Sequence, residues 1–339
     1  MTPADSSANR APAFRRNEPL EHLLNELNTV LQGAESQLVS AYDTGSAAHP
    51  IVFVMGPLRS GTTLFMQWLA GSGLFAYPTN LMSRFYAAPV VGARLQQLLT
   101  DPQYNFRNEI LDFNRPVDFV SENGKTRGAL APNEFWYFWR RFLPFGELDW
   151  LPDEELMARV DRTTLTAELR ALTRVLDRPF ALKGMILNYN VGFLDAVFER
   201  ALFVEIRRDP VANVVSVLEA RQRQFGDEST WYSFKIPEYP ALQGLDPLTQ
   251  AAGQIHFTRQ ALRAGIRKLP EHRRLVVDYE KFCAAPATVF HSLMDKLRLP
   301  TMPYSGPARF TPPRTVEAAR RAEISTILAA FERTTGDGQ

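Results

Sequence analysis

Five consecutive apolar residues, Ile51-Val52-Phe53-Val54-Met55, run directly into a glycine- and hydroxyl-bearing stretch, Gly56-Pro57-Leu58-Arg59-Ser60-Gly61-Thr62-Thr63. A strand that is apolar at every position has no face to give to water, so this run predicts a strand of a parallel sheet covered on both sides. Similar short runs recur at Phe180-Ala181-Leu182, from Ala201 to Ile206 and at Leu275-Val276-Val277. Helical periodicity fills the intervals 154–177, 192–199, 210–223 and 247–269. Strands alternating with helices predict right-handed crossovers and a three-layer α-β-α domain around a central parallel sheet. Two more amphipathic helices are expected, at 20–41 and 316–333, and residues 1–19 read as a loose tail before one domain spanning 20–339. Residues 75–150, rich in aromatic residues and proline, fit the alternation poorly and read as an insertion on the substrate side.

Composition narrows the function classes. Lys+Arg number 38 and Asp+Glu 37, for a net charge of +1, so no global field recruits nucleic acid or an acidic membrane. The hydrophobic fraction of 45% and charged fraction of 22% are those of a globular protein. No apolar run approaches the roughly 18 residues of a membrane span, and the first twenty residues lack the apolar segment of a secretory signal. The lone cysteine, Cys283, excludes an intrachain disulfide and a cysteine-cluster metal site. The expectation is a soluble, cytoplasmic protein.

The stretch after the first strand carries the chemistry. Leu64, Phe65, Trp68 and Leu69 continue it as an amphipathic helix, so strand, glycine-bearing loop and helix N-terminus follow one another. That arrangement cradles phosphate, because unbonded N–H groups and the helix dipole point at the anion. The spacing Gly56-x4-Gly61 matches the nucleotide-binding P-loop, but Thr62 stands where that motif needs lysine. The cation has moved to Arg59, which disfavours an ordinary nucleotide triphosphatase. A second candidate lies at Arg207-Arg208-Asp209-Pro210, after the strand beginning at Ala201. Asp209 suits an N-cap and Pro210 the first helical position. Ser216, seven residues past Asp209, returns to the same helical face, so Arg208 and Ser216 are placed to meet one phosphate. Arg207 should point the other way.

The run 56–64, Gly-Pro-Leu-Arg-Ser-Gly-Thr-Thr-Leu after an apolar strand, resembles the 5′-phosphosulfate loop of sulfotransferases that use 3′-phosphoadenosine 5′-phosphosulfate (PAPS). Leu58, between Pro57 and Arg59, is found in only part of that family. The resemblance implies that Arg59, Ser60, Gly61, Thr62 and Thr63 hold the 5′-phosphate, and that Arg208 and Ser216 bind the 3′-phosphate. Asp278-Tyr279-Glu280-Lys281-Phe282 looks like a downstream Tyr-Glu run that serves as packing. The resemblance covers about residues 51–73 and 180–300. It implies transfer of a sulfuryl group to a hydroxyl or amine of a small-molecule, carbohydrate or lipid-linked acceptor, with neither nucleic acid nor a membrane span involved. The rival readings are a P-loop kinase or nucleotide hydrolase, and a protein that binds adenosine bisphosphate without turnover.

In-line sulfuryl transfer rests on positioning and charge stabilisation, and fixed cations can replace magnesium, so no metal is expected. Lys183, at the end of the strand 180–182, lies at the carboxyl edge where open α/β sheets bind ligands. It resembles a lysine that bacterial and Golgi-type members set against the transferred group. A general base is also required, and three residues compete. Glu134, among aromatic residues, is favoured because burial would raise its pKa toward neutrality. Glu122 precedes a turn, and His256 sits on the side of helix 247–269 shared with Gln260, Arg263 and Arg267. The aromatic block 135–139 fits either core or a pocket for a sugar, lipid or aryl group. Asn80, Arg84 and Phe85 lie where family members meet the acceptor, and Arg309 and Arg314 lie in a loop that closes over the 3′-phosphate in related enzymes.

Overall fold

The structure, a computed structural model, describes residues 10–104, 121–122, 125–300, 302–311 and 315–336. In chain order its elements are α1 (Glu18–Tyr42), β1 (Ile51–Met55), α2 (Thr62–Gly71), α3 (Pro89–Thr100), β2 (Ser121–Glu122), β3 (Lys125–Thr126), α4 (Trp136–Phe142), α5 (Asp153–Arg159), α6 (Arg162–Val175), β4 (Phe180–Lys183), α7 (Val191–Val197), β5 (Ala201–Arg207), α8 (Pro210–Phe225), α9 (Tyr239–Leu242), α10 (Pro247–Lys268), β6 (Arg274–Asp278), α11 (Tyr279–Ala284), α12 (Pro286–Leu297) and α13 (Ala318–Gly336).

β1 is the strand its composition demands. It lies inside a four-stranded parallel sheet of order β4-β1-β5-β6, with Ile51 opposite Phe180 on one side and Ala201 on the other. Successive side chains of a strand face opposite ways, and both faces are covered. Val52 and Val54 join Leu202, Val204 and Ile206 against α2, α11 and α12. Ile51, Phe53 and Met55 join Phe180, Leu182 and Phe203 against α4, α6, α7 and the second half of α10. A third apolar cluster ties α8, α10 and α13 together and reaches Leu58 and Met185 beyond the strand ends. The three-layer α-β-α architecture follows. Because β1 has β4 and β5 as parallel neighbours on opposite sides, the loops after all three open side by side at one carboxyl edge. That is the place where such sheets bind ligands.

Several boundaries differ from the sequence reading, each for a local reason. α1 begins at Glu18 rather than 20, because Asn17 caps it by accepting from the Leu20 N–H at 3.1 Å. Of the expected loose tail, residues 10–17 carry contacts: the Ala11 N–H donates to the Gln224 carbonyl at 2.8 Å, and Arg10 lies over the Phe225 ring. The single helix expected over 154–177 is two helices, broken at Val160-Asp161, where the Asp161 side chain accepts from the Thr164 N–H and restarts the chain as α6. The stretch 75–150 contains α3 and α4, whose Val90, Ala93, Phe138 and Trp139 enter the core against the sheet.

α3 is held by a carboxylate from a different helix. Its own N-cap, Ala88, offers no side-chain acceptor. The buried Glu35 of α1 supplies it instead, accepting from the Val90 and Val91 N–H groups at 2.9 Å each. Burial pushes the Glu35 carboxyl up from its ordinary range, against the pull of those two N–H groups. Glu35→Ala leaves two helix-terminal donors unmade, and leaving a buried donor unsatisfied costs about 1–3 kcal/mol. The expected outcome is an unfolding free energy lowered by that amount, read as a lower urea midpoint at unchanged m-value, with Glu35→Gln, which keeps one acceptor oxygen, falling between the variant and the wild type.

Candidate active site

The loop after β1 is fixed from three directions. Asn188, in the turn after β4, brackets Gly56: its Oδ1 accepts from the Gly56 N–H at 3.3 Å and its Nδ2 donates to the Gly56 carbonyl at 2.8 Å. Asn213 of α8 donates to the Leu58 carbonyl at 2.5 Å, and Arg208 donates to the Arg59 carbonyl at 2.7 Å. Held in this way, Arg59 takes a left-handed conformation, φ 62°, which costs a non-glycine residue about 1–3 kcal/mol and persists where surroundings over-determine it. Gly61 caps α2 at φ 98° and brings no side chain to the cap. The first-turn N–H groups of α2 are therefore left for an anion. A side chain at Gly61 has no room, since a Cβ there would lie 2.2 Å from the Tyr279 ring. The run 278–282 thus packs against the loop, and Tyr279 also lies under the Arg208 guanidinium at 5.3 Å.

The second motif folds as its sequence suggests. Asp209 caps α8 through the Val211 N–H, and Pro210 is its first residue. Arg207 turns away and forms a two-pronged ion pair with the buried Glu205, at 2.8 Å for each contact. Arg208 and Ser216 line one cavity of about 430 Å³, together with Glu219, Glu317 and Arg320. The two motifs touch directly: Arg59 Nε donates to Ser216 Oγ at 3.2 Å.

Lys183 and Glu134, chosen separately from sequence, are brought into contact. The Lys183 side chain is only 3% exposed, and its ammonium donates to Thr63 Oγ1 at 2.7 Å and to Glu134 Oε1 at 2.6 Å. The other carboxylate oxygen, Oε2, accepts from Trp136 Nε1 at 2.6 Å. In place of the carboxyl isolated among aromatic rings that the sequence suggested, Glu134 is the counter-ion of a buried ammonium. It is set there by a strained turn. Asn133 Oδ1 accepts from the Phe135 N–H at 2.8 Å, and Phe135 adopts φ 59°. Thr62 fills the position of the P-loop lysine, and its hydroxyl is turned to Met185. The ammonium next to the loop comes instead from the neighbouring strand.

Other expected residues lie elsewhere. His256 is half-buried between α10 and α13, stacked on Phe331 at 5.8 Å, and burial lowers its pKa. It belongs to a helix interface rather than to a surface or to the loop. Asn80 is structural: it donates to Thr126 and Gly128, accepts from Asn133, and so braces the turn that carries Glu134. Arg84 and Arg309 are exposed. Glu122 lies in β2, but its side chain and all of Arg314 fall outside the described residues. In the block 135–139, Phe135, Phe138 and Trp139 are core, and only Trp136 reaches the carboxylate. Sequence reasoning missed Asn188 and Asn213, because an asparagine that binds backbone 132 or 155 residues away leaves no local pattern. Among the described residues no group of three or more His, Cys, Asp or Glu side chains is placed to hold a metal ion.

A family model described as the sulfotransferase family matches residues 50–303. The chain belongs to the sulfotransferase family. Solved sulfotransferases are similar in fold: STF1 from Mycobacterium tuberculosis, at 13% identity and a TM-score of 0.54, over 95% of this chain and 83% of that one; and STF9 from Mycobacterium avium, at 16% identity and 0.51, over 96% and 79%. At these identities the likeness is one of fold. A comparison with curated proteins finds no match. No helix of the described residues is long and apolar enough to cross a membrane.

In this sulfotransferase the close approach of Gly61 to Tyr279 makes a sharp test. Gly61→Ala places a Cβ in a left-handed conformation, which costs about 1–2 kcal/mol, and also drives it into the ring. The variant should lose at least that much stability and most of its sulfotransferase activity. Adding Tyr279→Ala should restore part of the stability, by removing the collision, but not the activity, because the ring also supports Arg208. Strict additivity of the two changes in denaturant unfolding would contradict this contact.

Proposed function

We propose that the chain transfers the sulfuryl group of PAPS to a hydroxyl or amine acceptor without a metal ion, in the cytoplasm, where the buried lone Cys283 stays a thiol. The observation that carries this reading is the convergence, at one carboxyl edge, of the two sequence motifs read as phosphate sites and one buried ammonium. The residues fit a ligand with two phosphates. Ser60 Oγ and Arg208 Nε are buried with no hydrogen-bond partner, the first turn of α2 is uncapped, and the charges lining both motifs include Arg59, Arg208 and Lys183.

When bound, PAPS supplies an activated sulfuryl group whose leaving oxygen belongs to the 5′-phosphate. Arg59, the N–H groups of residues 60–63 and the Thr63 hydroxyl hold that phosphate; the Thr62 hydroxyl, expected there from the sequence, is given to Met185 instead. Arg208 and Ser216 hold the 3′-phosphate. Lys183 faces the transferred group and neutralises charge as it shifts to the leaving oxygen. The fixed cations do there what magnesium does in phosphoryl transfer. Glu134 accepts the acceptor proton. The acceptor oxygen bonds to sulfur as the bridging sulfur–oxygen bond breaks, and that bond's electron pair leaves with adenosine 3′,5′-bisphosphate. The acceptor itself is a small molecule, a carbohydrate or a lipid-linked group.

The direct experiment is turnover of labelled PAPS against a panel of alcohols, phenols and amines in the presence of EDTA. Transfer should persist; loss with EDTA, or binding without turnover, would favour a metal-dependent kinase or a mere binder. Arg208→Ala should weaken adenosine 3′,5′-bisphosphate by about 2–4 kcal/mol in calorimetry, as for one partner of a buried charged pair. Because Arg208 also props the Arg59 carbonyl, adenosine 5′-phosphate should weaken too, but less. Lys183→Ala should lower kcat strongly and leave bisphosphate affinity nearly intact, since that product lacks the sulfuryl group. Equal losses for both nucleotides, or a Lys183 effect confined to affinity, would overturn these roles.

A further inference from the structure

Glu134 is held at both oxygens, by Lys183 at Oε1 and by Trp136 at Oε2. A carboxylate whose Oε1 is committed to an ammonium is not poised to take a proton there. We infer that Trp136 is a positioning residue: its indole N–H keeps Glu134 in place while the Lys183 ammonium changes partners from carboxylate to sulfonate. The inference rests on the function proposed above.

Four observations carry it. Lys183 is almost wholly buried, so its ammonium needs an anionic partner at every stage. An incoming sulfonate is such a partner, and on taking the ammonium it releases Oε1. Glu134 is 23% exposed, so once released it could swing out to water unless the second contact holds. The indole is suited to hold it, because it is a donor only and does not titrate; it fixes the carboxylate without competing for the proton. Trp136 is itself fixed, as the first residue of α4 after the strained Phe135, edge-on to Phe234 at 5.2 Å.

In the step that follows, the acceptor O–H proton goes to the freed Oε1. The acceptor oxygen forms the new bond to sulfur, and the electron pair of the bridging sulfur–oxygen bond leaves with the bisphosphate. Donor binding therefore exposes the base, and acceptor deprotonation waits for the donor. Among the described residues, the titratable and charged groups that face Glu134 are Lys183 from β4 and, from the segment after α8, Tyr232, whose hydroxyl feels both Glu134 and Arg59.

The test removes the N–H and keeps the ring. Replacing Trp136 by benzothienylalanine, which puts sulfur in place of the N–H, is the first variant, and Trp136→Phe is the second. Each should lower kcat by about 10–100-fold, the worth of a hydrogen bond to a charged group. Donor KM and bisphosphate affinity should stay within about twofold, since the roles proposed above place neither phosphate on the indole. The acidic limb of the kcat/KM profile should move to higher pH, because a carboxylate that loses a donor holds its proton more tightly. In a Glu134→Gln background the same changes should cost nothing further. Unchanged kcat and acidic limb in both variants would overturn the inference, as would loss of bisphosphate binding, which would make the indole a support of the fold. The base assignment fails separately: it falls if Glu134→Gln alone turns over normally, whereas an inactive Glu134→Gln beside normal Trp136 variants sinks only the role of Trp136.

Discussion

Taking an ammonium out of water costs several kcal/mol unless a well-placed anion and hydrogen bonds compensate. Lys183 meets that requirement with one carboxylate and one hydroxyl. Its partners come from different parts of the chain. Thr63 is in the first turn of α2, Glu134 precedes α4, and the Lys183 carbonyl itself accepts from Trp139 of α4 at 2.9 Å. The ion pair therefore fastens the aromatic segment 133–142 to the sheet edge and sets the distance between that segment and the loop after β1. A position where charge must be neutralised in the resting protein is also a position where an incoming anion finds a cation ready.

Around this pair the carboxyl edge is built with strain that the rest of the fold holds in place. Arg59 and Phe135 both occupy left-handed conformations, one in the loop after β1 and one beside Glu134. Each is locked by side-chain contacts to backbone: Asn213 and Arg208 on the loop, Asn133 at the turn. The loop carbonyls are thereby turned toward neutral or cationic donors, which leaves N–H groups and the orphaned Ser60 hydroxyl for an anion. Preorganised donors of this kind need no reorientation when charge develops on a leaving oxygen, and that is the main source of catalysis in group transfer.

The local part of this design was legible in the sequence. Apolar runs located the four sheet strands, and Asp209 with Pro210 located the start of α8, because each depends on neighbouring residues alone; α2, read from Leu64, begins at Thr62. Lys183 and Glu134 could be picked individually from their surroundings, but not as a pair, since no sequence pattern joins residues 49 apart. Asn188 and Asn213 act on backbone far along the chain, and a composition that looks ordinary hides them. His256 was placed on a solvated helix side because its partner ring, Phe331, belongs to α13. Helix α3 escaped notice for a related reason: its cap is a glutamate from α1.

The central claim is that the loop after β1 and the start of α8 hold the two phosphates of one nucleotide, with Lys183 between the nucleotide and the acceptor side. A crystal structure with adenosine 3′,5′-bisphosphate tests it most directly. The account predicts the 5′-phosphate within hydrogen-bond distance of the N–H groups of residues 60–63, and the 3′-phosphate against Arg208 and Ser216. Lys183 should be left facing open space beyond the 5′-phosphate. A bisphosphate bound away from the carboxyl edge, or with its two phosphates exchanged between the motifs, would contradict it.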